Sequence, residues 1–358
     1  MRTTLLLSVA LLGVSSAASA QQLNVVSYGG AFEASQVKAY NEPFAQNTGI
    51  KVNMMAADDP GALIKAQAEA GNVTTDVVDL ATSDVVRLCD EGILMEIDPA
   101  DLPDGADGTP VLDDFFDGAL QDCGVATILW GNVIGYDTRK FGDNPPTKAA
   151  DFFDLETYPG KRSLPRLPRR SLYLALIADG VPADQIYDTL STPEGVDRAF
   201  AKLDTIKNDI VWWDAGAQPV QLLADGEVSM ATTYNGRLFD AMVSDNQPIQ
   251  IIWDGQYMEM DLFAIPKGAP NPEAAMEYLK FATDTQRLAD QARYIAYGPA
   301  RKSSAALVGL FQDGKTEMAP HMPTNPDNMT NAVMDDPEFW ADNEDQLNER
   351  FNNWLAAK

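Results

Sequence analysis

The sequence predicts an α/β fold with a mostly parallel sheet, arranged as two lobes. Three observations carry this. Short apolar runs alternate with stretches of helical period along the whole chain. The breaks between them fall at residues suited to ending strands or starting helices, such as Gly29-Gly30, Asp59-Pro60, Gly71 and Gly92. A chain of 358 residues also exceeds one comfortable hydrophobic core.

Taken in order, residues 23–28 form an apolar strand that Gly29-Gly30 breaks, and Val37, Tyr40 and Phe44 then share one helix face. Residues 50–55 alternate as a half-buried strand, with Ile50, Val52 and Met54 on one side. Asp59-Pro60 starts a helix with proline at its first position, and Gly71 ends it. Residues 75–82 form the next strand, and Ser83 is the expected N-cap of a helix closed by Gly92. Residues 126–136 read as a long strand and 172–178 and 193–207 as helices. Three further strands are expected at 228–234, 249–253 and 262–266, and helices at 272–283 and 285–297. In the acidic tail Leu347, Phe351 and Trp354 have the spacing of a docking helix.

Composition excludes several classes. The net charge is −27, which disfavours nucleic acid and anionic lipid as partners. His321 is the only histidine, so multi-histidine metal sites and most histidine catalysis are out. Residues 1–20 have the layout of a signal peptide: Arg2, a short apolar core, and Ala18-Ser19-Ala20 before Gln21. Export to an oxidising compartment favours a disulfide between Cys89 and Cys123, with two buried thiols as the alternative. There is no G-x-S-x-G, H-E-x-x-H, P-loop or G-x-G-x-x-G motif. A hydrolase using carboxylates alone is the enzyme reading that motifs leave open.

Eight stretches in order then carry a resemblance: L-N-V-V-S-Y-G-G at 23–30, F-A-Q-N-T-G-I-K-V at 44–52, D-V-V-D-L-A-T-S-D at 76–84, G-I-L-M-E-I-D at 92–98, T-I-L-W-G-N-V-I-G-Y at 127–136, D-G-E-V-S-M-A-T-T-Y-N-G at 225–236, M-D-L-F-A-I-P at 260–266 and A-Y-G-P-A-R at 296–301. Together they resemble the periplasmic solute-binding proteins of ABC importers, nearest the spermidine/putrescine-binding group. The resemblance implies the type II two-lobed periplasmic-binding-protein fold, with lobes joined by crossing strands and ligand in the cleft. It places lobe one at 21–131 plus 261–304 and lobe two at 132–260 plus 305–358. It also implies a periplasmic monomer without catalysis, cofactor or metal, handing a small amine or ω-amino acid to an inner-membrane permease.

Site residues carry over by position. Tyr28, Tyr234 and Tyr297 match aromatic walls, Trp130 lines the crossover, and Asp261 matches the amine-binding aspartate. Asp261 also interrupts an apolar run, where an unpaired carboxylate is costly and an amine partner explains it. Other positions depart from the polyamine pattern. Ser83 and Glu259 stand where aromatics are usual. Leu167 and Arg170 fall where polyamine binders carry acids, within a stretch containing Arg162, Arg166 and Arg169 that reads otherwise as a solvated basic loop. Arg237 follows T-Y-N-G and is suited to a carboxylate. A cleft with Asp261 at one end and Arg237 at the other fits a zwitterion such as 4-aminobutyrate, which some relatives of the polyamine binders take up. Putrescine or spermidine is the alternative ligand, and an anion alone is the third.

Overall fold

The computed structural model describes residues 22–57 and 59–357. The expected signal peptide at 1–20 lies outside them.

The first half follows the expected grammar. Strand β1 (Gln22–Ser27) leads through Gly29 and Gly30, at φ 74° and 63°, into α1 (Gly30–Gln36). The helix continues past a π-turn into α2 (Glu42–Thr48), burying Tyr40 and Phe44. Strand β2 (Lys51–Ala56) precedes α3 (Pro60–Glu69), whose N-cap Asp59 accepts from the Ala62 amide at 2.8 Å. Strand β3 (Val77–Ala81) runs directly into α4 (Thr82–Asp90). Ala81, not Ser83, occupies the N-cap, and no side chain among the described residues caps this helix; the helix starts two residues before the point that would make Ser83 its N-cap.

After a short α5 (Val111–Asp114) and β4 (Leu120–Gln121), strand β5 (Gly124–Asp137) enters the second half. The basic stretch expected as a loop is instead β6 (Arg162–Pro165) followed by α6 (Pro168–Ala178), so Arg169 and Arg170 sit in a helix's first turn. The four arginines go four ways. Arg162 is fully buried and donates to the carbonyls of Phe152, Asp154, Tyr158 and Gly160. Arg166 pairs with Asp214 in solvent, Arg169 faces Asp335 and Glu344, and Arg170 reaches the cleft.

Helices α7 (Ile186–Leu190) and α8 (Pro193–Asp204) come next, α8 ending three residues before its expected stop. Then follow β7 (Ile210–Trp213), α9 (Gln218–Ala224), β8 (Met230–Tyr234) and α10 (Asn235–Phe239). The strands expected separately at 249–253 and 262–266 are one, β9 (Ile249–Ala264). Asp254, Gln256, Glu259 and Asp261 interrupt the apolar pattern, but each has a polar partner. Asp254 accepts from the Ala149 amide and the Asn331 side chain, and Gln256 donates to the carbonyls of Pro323 and Asn328.

Helices α11 (Pro272–Ala282) and α12 (Thr285–Gln291) follow, and α12 stops six residues short of Tyr297 so that the chain can turn back to the cleft. The remainder is β10 (Gly298–Pro299), α13 (Lys302–Ala305), β11 (Val333–Met334) and α14 (Pro337–Ala356). Of the three residues the tail spacing singled out, α14 buries Leu347 and Phe351, together with Phe339 and Trp340, and leaves Trp354 partly buried against the same cluster.

The strands form one sheet in the order β2-β1-β3-β9-β5-β8-β6-β7. The outer sets are parallel, and the long antiparallel pair β5–β9 passes between them, from Val125 opposite Phe263 to Asp137 opposite Ile249. One large apolar cluster packs β1, β3 and their helices, and another packs α6, α8 and α14. This is the two-lobed α/β arrangement with crossing strands.

A disulfide joins Cys89 at the end of α4 to Cys123 before β5. It closes a separation of 34 residues, which is worth about 3–4 kcal/mol by the loop-entropy relation. Reduction, or Cys89→Ala with Cys123→Ala, is expected to lower the thermal midpoint by about 5 °C. Calorimetry with and without reductant checks it, and an unchanged midpoint would contradict it.

Candidate ligand-binding site

A cavity of about 430 Å³ opens where β1, β3 and β8 end beside the β5–β9 crossing. Carboxyl ends of strands at a crossover are where open α/β sheets form ligand sites, and this volume suits a small solute. Of the positions singled out by sequence, Tyr28, Trp130, Arg170, Tyr234, Arg237, Glu259, Asp261 and Tyr297 line it. Ser83 does not, because it lies on α4 past the strand end, where Ala81 holds the wall.

Aromatic rings form most of the wall. Trp130 meets Tyr234 edge-on at 5.1 Å, Trp213 backs Tyr234 at 6.3 Å, and Phe32 meets Tyr297 at 5.8 Å. The Y-N-G turn after β8 holds these parts together. Asn235 accepts from the Gly131 amide on β5 and donates to the Ala296 carbonyl, tying the crossing strand to the turn bearing Tyr297. Gly236 allows that turn to approach: a Cβ there would lie 2.6 Å from a Tyr297 ring carbon.

Two charged centres differ in how they are satisfied. Arg170 is nearly buried and pairs with Glu259 at 3.0 Å, donates to the Tyr234 hydroxyl at 2.9 Å, and lies over the Trp130 and Tyr234 rings at 4.9 and 5.1 Å. Burial opposes its charge, but Glu259 and Tyr234 outweigh burial and raise its pKa. The Asp261 carboxyl, in a residue 7% exposed, accepts one hydrogen bond among the described residues, from the Trp130 indole at 3.2 Å. Burial pushes its carboxyl up to about 7; the Trp130 bond opposes this, and Glu259 adds to it.

Behind Asp261 lies Asp79, fully buried on β3 and hydrogen-bonded by Ser27 and Gln36, with one oxygen unpartnered among the described residues. Burial, and then Asp261, raise its pKa far above the usual carboxylate range. Tyr28 accepts from the Ala81 amide at 3.0 Å, and burial and the same two acids raise its phenol. Arg237 is exposed at the cavity edge, with its guanidinium 5.5 Å from the Tyr234 ring, and no carboxylate pairs with it among the described residues. Nearby Asp240 has a carboxyl raised by burial.

The cavity wall therefore presents a carboxylate at Asp261 and a guanidinium at Arg237, together with the rings of Tyr28, Trp130, Tyr234 and Tyr297. Residues 37–324 match the family model described as bacterial extracellular solute-binding protein. The chain belongs to that family. The gamma-aminobutyric acid-binding protein of Pseudomonas aeruginosa is 40% identical over 95% of this chain and 92% of its own. The spermidine/putrescine-binding periplasmic protein of Escherichia coli is 25% identical over 67% of each. Among solved structures, one described as a GABA receptor has a TM-score of 0.78 at 32% identity, covering 94% of this chain and 98% of that one. The PBP MotA of A. tumefaciens B6 in complex with glucopine has a TM-score of 0.79 at 31% identity, covering 94% and 100%. This solute-binding protein is the substrate-binding component of an ABC transporter. None of these relatives is described as a hydrolase.

Sequence reasoning missed Phe32, Asp240 and Ile295 on the wall, and Asp79 behind it. Asp79 carried a usable signal, since it interrupts the V-V-D-L run just as Asp261 interrupts its own strand. Phe32 and Ile295 had none: each becomes cleft-facing through a turn, at Gly29-Gly30 and after α12, that periodicity does not register.

Proposed function

We propose that the protein captures a zwitterionic ω-amino acid, with 4-aminobutyrate as the representative, in the periplasm and delivers it unchanged to a membrane permease. The charge left over in the cavity carries this reading. Arg170 and Glu259 neutralise one another. What remains is an acid, Asp261, with one hydrogen bond, and a cation, Arg237, with no carboxylate partner among the described residues. Asp240 lines the same wall, its carboxyl raised by burial and lowered by Arg237. The pair of Asp261 and Arg237 suits a solute with an ammonium at one end and a carboxylate at the other. A diamine would place its second ammonium near Arg237; two like charges about 4 Å apart at an effective dielectric near 20 repel by about 4 kcal/mol. The 40% identity to a protein described as gamma-aminobutyric acid-binding supports the same ligand class.

Thermal shift on the mature protein tests this with 4-aminobutyrate, 5-aminovalerate, putrescine, spermidine and butyrate. A ligand at about 1,000 times its Kd adds about 4 kcal/mol to stability, an easily read shift. The ω-amino acids are expected to stabilise the protein and butyrate is not. If putrescine or spermidine stabilises it more than either ω-amino acid, the zwitterion reading is wrong.

A further inference from the structure

The Arg170–Glu259 pair has no part in the capture just described, yet it is nearly buried inside the cavity, with side chains 11% and 7% exposed. Nε and Nη2 of Arg170 both approach one Glu259 oxygen, at 3.2 and 3.0 Å, and Nη1 donates to Tyr234. The Trp130 and Tyr234 rings hold the guanidinium in place. Glu259 thus occupies the fork that a ligand carboxylate would otherwise use. We propose that Glu259 sets specificity by filling, on Arg170, the place of an α-carboxylate, so that the site accepts ω-amino acids and rejects α-amino acids such as glutamate.

This rests on the ω-amino acid reading above and deepens it. Glu259 and Asp261 are two residues apart on β9, project to one face, and stand about 7 Å apart along the strand. Both line the cavity, and Trp130 links them, donating to Asp261 and lying under Arg170, the partner of Glu259. A ligand ammonium at Asp261 puts any carboxylate on the same carbon next to Glu259. There it meets a like charge, and the nearest guanidinium is already neutralised. Glutamate is 4-aminobutyrate with one carboxylate added on the ammonium-bearing carbon, so the two ligands isolate this effect.

The test is calorimetric titration of wild type, Glu259→Ala and Glu259→Gln with 4-aminobutyrate and glutamate, plus thermal shift with acetate. Wild type is expected to bind glutamate about 100-fold more weakly than 4-aminobutyrate. Glu259→Ala should raise the ratio of glutamate to 4-aminobutyrate affinity by about tenfold or more, whatever the loss common to both ligands from leaving Arg170 unpaired. Acetate should stabilise Glu259→Ala and not wild type, because it can replace the missing carboxylate on Arg170. Glu259→Gln keeps an acceptor for Arg170, guards against a folding defect, and should raise the same ratio about threefold. The proposal is overturned if the variants bind 4-aminobutyrate without raising that ratio, or if acetate leaves Glu259→Ala unmoved. A wild type that ignores 4-aminobutyrate would instead sink the ω-amino acid reading, with the acetate result still deciding the role of Glu259.

Discussion

Asp261→Asn is expected to weaken 4-aminobutyrate binding by about 100- to 1,000-fold while making the empty protein more stable. The loss follows from leaving a ligand ammonium beside a 7%-exposed position without its counter-charge, which costs about 3–4 kcal/mol. The gain follows from the cost of the wild-type carboxyl. Its folded-state value of about 7 lies above the ordinary 3.8, so the unfolded chain gives up this proton more readily than the folded one. The group's contribution is complete below about pH 4 and is lost as pH rises towards 7. The difference, roughly three units, amounts to about 4 kcal/mol of stability removed at and above neutrality. Asparagine keeps the acceptor for the Trp130 indole and has no proton to lose. The same titration sets the pH response of binding. Below about pH 7 the ammonium must displace a proton from Asp261, so wild-type affinity should fall about tenfold per pH unit. Calorimetry from pH 5.5 to 8.5 and thermal denaturation of both proteins check these statements. A variant that binds as wild type does, or whose stability falls above pH 7, would contradict the assignment.

Local chemistry made the first lobe legible. Asp59 before Pro60, and Gly71 and Gly92 with left-handed backbones, mark helix ends through requirements of the backbone itself. What was not legible depends on partners distant in sequence. β9 looked like two strands because its middle is polar, and that polarity is satisfied by carbonyls near 323–328, by Asn331 and by Arg170. Arg162 and Arg170 are indistinguishable in sequence, yet one fills a nest of four carbonyls and the other a cleft. The boundary between β6 and α6 makes that difference. Asp261 could be found because burying an acid in an apolar strand demands a reason, and Asp79 answers to the same rule.

Arg237→Gln should separate the two ends of the ligand. It is expected to cut 4-aminobutyrate affinity by about 10- to 100-fold, the value of a charge-assisted pair at a partly open edge. It should leave putrescine affinity unchanged or improved. Because Arg237 is exposed and holds no ion pair among the described residues, the variant's thermal midpoint should match wild type. Arg170→Gln would be a poor substitute for this experiment, since it strands Glu259 in a nearly buried position and confounds folding with recognition. The two ligands measured on one variant therefore report charge directly. If 4-aminobutyrate binds Arg237→Gln as tightly as wild type, its carboxylate does not lie at Arg237. The remaining guanidinium on the cavity wall is Arg170, and a carboxylate could reach its fork only by expelling Glu259.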